Sequence, residues 1–351
     1  MVKSYTSLFF CVFSSSCLFS QYGGNTTYKF LSLPVSARVA ALGGYGPALK
    51  DGDVNLALQN PSLLDSTMNN CLGLSYINYF ADINYGYAGY ARHYTGIGSF
   101  GVGVQFINYG KFTSADPTGT ITGQFKAAEY AFNLGYGKKL DSVLSVGANV
   151  KVLYSALEQY YSSALAADVG ITYQNIPHFF TAALIIKNTG VQLKSYTEGN
   201  KEPLPFEVQA GISRKLSKAP FRFSITFQHL EKWDMTYDDP NDPNEKVNAI
   251  TGEVEHKRSK TGIFTDKLMR HVVPGVEILI SKNIHLRVGY NYQRRQELKL
   301  ENRPGMTGFS FGLGIKISKF QLSYGRASYH LAGASNHFTI STNLNDFYSR
   351  K

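Results

Sequence analysis

A catalytic site requires a nucleophile or a polarised water held by converging groups, and few residues of this 351-residue chain fit that description. Cys71 has no histidine near it in sequence and reads as a packed thiol. The eight histidines are scattered, with no His-x-x-x-His or Cys-x-x-Cys spacing to build a metal site. Ser341 and His337 stand four apart on one face of an alternating segment, where a hydrolytic pair can be drawn, but serines are too common here for that spacing to carry weight. Gly98, Gly101 and Gly103, like Gly312 and Gly314, look like pieces of a dinucleotide fingerprint, yet they lie inside alternating segments and open no helix. They read as points of close backbone approach. No catalytic residue, cofactor or metal is expected.

Residues suited to recognition are better represented. Asp234, Asp238, Asp239, Asp242 and Glu245 follow Trp233 with no Lys or Arg among them, and Tyr237 lies within the run. Hard cations such as Ca2+ take such oxygens, but EF-hand spacing is absent and a solvated acidic loop is the expectation. Phe264, Leu268, Met269, Val272 and Val273 then form a short amphipathic stretch that could dock on a rim or on a partner. Further on, Arg294, Arg295, Lys299 and Arg303 outnumber Glu297 and Glu301 and could meet an anionic surface or only water. The candidate partner-binding residues are Trp233, Asp234, Tyr237, Asp238, Asp239, Phe264, Leu268, Arg294 and Arg295.

The elements that must carry these residues are strands. Leu144, Val146, Ala148, Val150, Val152 and Tyr154 alternate with Ser145, Gly147, Asn149 and Lys151. Phe309, Phe311, Leu313, Ile315 and Ile317 alternate in the same way with Ser310, Gly312, Gly314 and Lys316. Such period-2 patterns mark strands with two chemically different faces. Fourteen are expected, near 71–80, 84–94, 98–109, 126–138, 143–154, 164–174, 179–188, 206–215, 221–230, 272–280, 284–293, 309–317, 320–327 and 336–344. The second face is mostly Gly, Ala, Ser, Thr, Asn and Gln, with only an occasional Lys151, Asp168, Glu207, Arg222 or Arg287, which suits a lumen better than bulk water. Connections also sort by parity: the even ones, such as 94–97, 139–142 and 318–319, are short. The odd ones, such as 110–125, 189–205 and 231–271, are long, except the first, around Ala81 to Asn84. A soluble sandwich has no reason to sort them; a membrane barrel with short periplasmic turns and long surface loops does.

Composition agrees. Charged residues make up 17% where about 25% is usual, and Tyr (24), Phe (23) and Gly (33) are abundant. Aromatic content of 14% argues against disorder. No apolar run of about 20 residues follows the first twenty, so a helical membrane span is not expected. The net charge of +10 forms no stripe, and nucleic-acid binding is not expected. Residues 1–20 carry Lys3 and then an uncharged, Phe- and Leu-rich run, the pattern of a secretory signal peptide cleaved before Gln21. Cleavage would remove Cys11 and Cys17, leave Cys71 without a disulfide partner, and lower the charge to +9.

Residues 21–70 lack the alternation and are rich in turn formers; a plug inside the barrel is favoured over a periplasmic tail. The stretch from Phe30 to Gly44, with Arg38, Gly43 and Gly44, and the stretch from Asp53 to Leu64, with Asn60 and Pro61, resemble the N-terminal hatch of the FadL-like outer-membrane barrels. More narrowly, with Tyr76–Gly86, Gln105–Gly110, Gly289–Leu298 and Asn336–Ser341, the chain resembles PorQ-like barrels of the type IX secretion system of Bacteroidetes. The resemblance implies an all-β, 14-stranded antiparallel transmembrane β-barrel: hatch at 21–70, barrel at 71–344 with a long surface loop at 231–271, and a tail at 345–351. It also implies a non-enzymatic outer-membrane scaffold of the attachment complex. That scaffold would hold a PorZ-like surface protein near a sortase-like PorU and a PorV-type barrel, where secreted cargo is joined to anionic lipopolysaccharide. The alternative, a FadL-like channel for hydrophobic molecules, requires an apolar lumen, and the small faces read as polar.

Overall fold

Alternation becomes wall in the computed structural model, which describes residues 26–236, 245–247, 254–256, 260–298, 305–330 and 333–348. The signal-peptide segment and Tyr237, Asp238 and Asp239 lie outside the described residues. The first nine strands are β1 (Cys71–Asn78), β2 (Asn84–Tyr94), β3 (Gly98–Ala115), β4 (Ile121–Lys139), β5 (Leu144–Leu157), β6 (Tyr160–Asn175), β7 (Phe180–Lys194), β8 (Glu207–Lys215) and β9 (Phe221–Phe227). A small hairpin, β10 (Glu245–Val247) with β11 (Val254–His256), stands apart. The wall resumes with β12 (Val272–Leu279), β13 (Ile284–Tyr290), β14 (Phe309–Ile317), β15 (Phe320–His330) and β16 (Gly333–Asn343).

Fourteen of these strands form one closed antiparallel barrel, sealed where β1 pairs with β16, Cys71 opposite Asn343 and Asn78 opposite Asn336. Closure leaves no sheet edge, the condition for strands to cross lipid. On β5 the outward residues Val150, Val152 and Tyr154 are exposed, while Asn149, Lys151 and Leu153 between them are buried in the lumen. The same apolar band continues through Phe132, Leu134, Leu184, Ile186, Phe311 and Phe338.

Three expectations change in detail; in the first, the connection expected between strands 143–154 and 164–174 shrinks to a two-residue turn, because β5 runs to Leu157 and β6 starts at Tyr160. The connection expected over 110–125 is largely strand: β3 and β4 extend past the wall as a hairpin whose tip is held by Asp116, which accepts from the amides of Thr118 and Thr120. The segment expected to continue β13 through residue 293 instead turns into helix α3 (Tyr292–Leu298), after α1 (Ala37–Ala41) in the hatch and α2 (Lys260–His271) in the long loop; α4 (Asn345–Tyr348) ends the described chain.

Residues 26–70 fill the lumen. Ser36 caps α1 by accepting from the Val39 amide, and Asp53, Asn60 and Asp65 each start a single 3-10 turn by accepting from the amide two residues on. These local side-chain to backbone bonds shape a segment whose own apolar residues, Val39, Leu42, Leu49, Leu56, Leu63 and Leu64 among them, pack into one buried cluster. The wall meets it with inward-facing glycines. A β-carbon at Gly147 would overlap the Pro61 carbonyl, one at Gly289 the Leu42–Gly43 backbone, and one at Gly325 the Ala37 carbonyl. Lack of a side chain on the wall is what allows hatch backbone to lie directly on strand backbone.

Candidate functional site

Two chemically distinct sites, besides the hatch's own apolar cluster, hold the hatch in the lumen. At the short-turn end, Arg38 from α1 makes a two-bond fork with Glu277 of β12 (2.9 and 2.8 Å) and another with Asp51 (2.8 and 2.7 Å). Arg222 of β9 donates to the same two carboxylates at 2.6 and 2.9 Å, and Arg287 of β13 donates to Glu277 at 2.9 Å. Asp53 is 3.4 Å from Arg38. Glu277 is 1% exposed, so its charge persists there only because three guanidinium groups face it. Burial raises the Asp51 carboxyl, but Arg38 and then Arg222 outweigh burial and hold it below the usual carboxylate range. Higher in the lumen, Lys151 and Asp168 form a second buried pair at 2.7 Å.

Toward the long-loop end the lumen holds an apolar cluster, bordered by the buried polar side chains Gln105, Glu129, Ser162 and Gln192. Ile77, Tyr85, Ile107 and Leu153 point inward from four strands, and Leu204 joins from the β7–β8 connection; together they enclose Tyr28, Phe30 and Leu31 of the hatch. The polar ends find partners: Tyr28 donates to Ser162 Oγ at 2.7 Å and Tyr85 to the Pro34 carbonyl at 3.1 Å. The rings are thereby free to act as hydrophobic surface. On the outer wall, β14, β15, β16, β1, β2 and β3 form an apolar groove of about 580 Å3 bordered by Leu74, Tyr76, Phe106, Leu313, Phe338 and Ile340.

A cap of two helices stands over this end. Tyr292 of α3 donates to Asp266 of α2 at 2.6 Å, and Arg270 holds the other Asp266 oxygen at 2.9 Å. Burial and then Asp266 push the Tyr292 hydroxyl up to about 12. His271 lies between the carbonyls of Gln228 (2.8 Å) and Trp233 (3.0 Å), and the Trp233 ring stacks on it at 5.4 Å. Trp233 and Phe264 also meet, ring centroids 5.7 Å apart, and both stay more than half exposed at 52% and 55%. Leu268 is exposed beside them, and Asp234 is tied to Lys267 at 2.5 Å.

Trp233, Asp234, Phe264 and Leu268 are therefore brought together at the surface. Arg294 and Arg295 are not part of that patch: Arg294 lies half-buried over Gly44 of the hatch, and Arg295 donates to the carbonyls of Gly305 and Thr307. The hatch residues act as joints. Gly43 and Gly44, both at positive φ, end α1 where the Gly43 amide donates to Ser310 Oγ. Asn60 turns the chain onto Pro61 and donates to Thr172 Oγ1 of β6 at 3.2 Å. Ser341 and His337 do not form a pair: His337 is buried 2.9 Å from Ser335 Oγ, while Ser341 lines the opposite, short-turn end. Among the described residues no three His, Cys, Asp or Glu side chains cluster as a metal site. The sequence reading did not single out Glu277 or the inward Ile77, Ile107 and Leu153. A lone acid on the lumen face of a strand was the available signal for the first, since such a group needs a partner.

No family model matches the chain, and no curated protein matches it. Solved structures do. The toluene transporter TbuX of Ralstonia pickettii superposes with a TM-score of 0.51 at 13% identity, over 90% of this chain and 99% of that one. The monoaromatic hydrocarbon channel CymD gives 0.50 at 14% identity, over 88% and 96%. The fold is that of a FadL-like outer-membrane barrel. At these identities the likeness concerns the fold alone.

Proposed function

We propose that the protein is an outer-membrane channel for small hydrophobic molecules. The observation that carries this reading is the apolar cluster toward the long-loop end of the lumen, where Ile77, Ile107 and Leu153 surround a hatch segment that contributes Tyr28, Phe30 and Leu31. A wall that only had to be filled could be lined with the Ser, Asn and Gly found elsewhere in it. An apolar lining gives a hydrophobic molecule a site of low free energy when the hatch segment yields. The wall groove of about 580 Å3 offers apolar surface in the lipid-facing band alongside. Two barrels of this fold, TbuX and CymD, are a toluene transporter and a monoaromatic hydrocarbon channel. The test is uptake of labelled toluene by cells that express the barrel and lack their own hydrocarbon channel. An initial rate above the vector control supports the reading, and a rate equal to it overturns it.

A second reading rests on the cap. The exposed Trp233, Phe264 and Leu268, fixed by His271 and the α2–α3 tie, form a surface suited to a protein partner. This favours a scaffold of the type IX secretion attachment complex that holds a PorZ-like surface protein beside a sortase-like PorU and a PorV-type barrel. Replacing Trp233→Ser, Phe264→Ser and Leu268→Ser together while the barrel still inserts should abolish co-purification of such a protein; unchanged co-purification would reject the scaffold.

A further inference from the structure

The short-turn end of the lumen, which outer-membrane barrels direct to the periplasm, contains a cavity of about 410 Å3 below the hatch. Its inner wall is the ion cluster, in which Arg38 and Arg222 bind both Asp51 and Glu277 and Arg287 binds Glu277 again. The acids there already face guanidinium groups, so that wall adds little free negative charge. Nearer the mouth the lining changes to Lys215, Lys316 and Lys319, and among the described residues none of the three forms an ion pair with a carboxylate; Asp346 is the acid left at the mouth. Lys319 Nζ instead lies 4.6 Å from the Phe347 ring centroid and Lys215 Nζ 6.0 Å from that of Phe179. Aromatic faces position these ammonium groups without neutralising them. Lys138, Lys139, Arg214, Lys218 and Lys282, on or beside neighbouring short turns, add a field of the same sign.

We propose that this vestibule binds a phosphate monoester. Lys316 and Lys319 lie at one short turn and Lys215 four strands away on the same lining; their unneutralised charges raise the potential of the cavity, and a dianion there offsets more of it than a monoanion does. A carboxylate, with one charge and two oxygens, leaves part of the excess uncompensated. Gln321, Thr342 and Asn343 on the same lining offer neutral hydrogen-bonding groups to the rest of the ligand. The ester can be soluble or the head of an anionic lipid, and the site is independent of what passes through the apolar cluster.

The test titrates glycerol 3-phosphate into the folded full chain in detergent and follows the heat. Saturable binding is expected, weakened at least about tenfold in the triple variant Lys215→Gln, Lys316→Gln, Lys319→Gln and unchanged in Lys111→Gln, Lys126→Gln on the β3–β4 hairpin at the opposite end. Heat-modifiable gel mobility checks that each variant is still a closed barrel. A parallel arm places the barrel in nanodiscs containing phosphatidate or only phosphatidylcholine and weighs the complex. Retained phosphatidate that glycerol 3-phosphate does not displace identifies a lipid source, and binding of the soluble ester alone identifies a soluble one; both support the site. Absence of saturable binding in both arms, or equal binding by the triple variant, overturns it.

Discussion

At the long-loop end of the lumen, Tyr28, Phe30 and Leu31 pack on Ile77, Ile107 and Leu153; at the short-turn end, Arg38 lies among Asp51, Glu277, Arg222 and Arg287. Both ends hold the same hatch against the same wall, but by different physics. Apolar contact is non-directional and can be remade after a small displacement. A forked guanidinium between two carboxylates is directional, and breaking it strands buried charge. On the proposed channel reading, the ionic end anchors the hatch and the apolar end yields to a hydrophobic guest.

The largest expected effect comes from breaking the anchor. Glu277→Ala leaves three guanidinium groups facing one carboxylate fewer in a buried site and should cost about 3–5 kcal/mol. It is read as a lower denaturant midpoint in detergent and as new protease cleavage within 26–70. Leu153→Ala at the apolar end should cost about 2–4 kcal/mol through lost burial and the cavity left behind, without exposing the hatch to protease. If both variants released the hatch equally, the anchor would not be confined to the ionic end. Gly147→Val forces a side chain into the Pro61 carbonyl and should cost about 1–3 kcal/mol. The same assay checks it, with the hatch expected to loosen around Pro61.

The smallest effect concerns the cap. Partial burial raises the Asp234 carboxyl, but Lys267 and Thr236 outweigh it and hold it at about 2. A carboxylate lowered on folding adds stability that is present above its unfolded value and lost as pH falls through the folded one. Trp233 is the sole tryptophan of the chain, so its emission reports the cap directly. Emission should stay constant from neutral pH to about 4 and shift as pH falls toward about 2. Asp234→Asn should remove that transition.

The wall was readable because alternation is a local signal. Leu144 to Tyr154 shows its lipid face in consecutive residues, and the structure exposes that face. The β3–β4 hairpin was hidden because Thr113, Ser114 and Thr122 are polar on both faces once the strands leave the membrane, so periodicity fades while backbone pairing continues. Helix α3 was hidden because Tyr290, Asn291 and Tyr292 prolong the β13 alternation up to the point where Asn291 accepts from the Arg294 amide and turns the chain. Arg38 was marked by resemblance alone, since its partner Glu277 lies 239 residues away and no local pattern joins them. The apolar cluster of the lumen was missed for a related reason. Ile77, Ile107 and Leu153 each sit among small or polar inward neighbours, and only closure of the barrel gathers them around Tyr28 and Phe30.

The most direct test of the channel is the rate at which labelled toluene enters vesicles containing the purified barrel, measured side by side for the native chain, Leu153→Asp and the Lys316→Gln, Lys319→Gln double variant. The expected result is entry above empty vesicles for the native chain and the lysine variant, and entry at the empty-vesicle rate for Leu153→Asp with its barrel still folded. Native entry no faster than empty vesicles, or Leu153→Asp as fast as native, would contradict the channel.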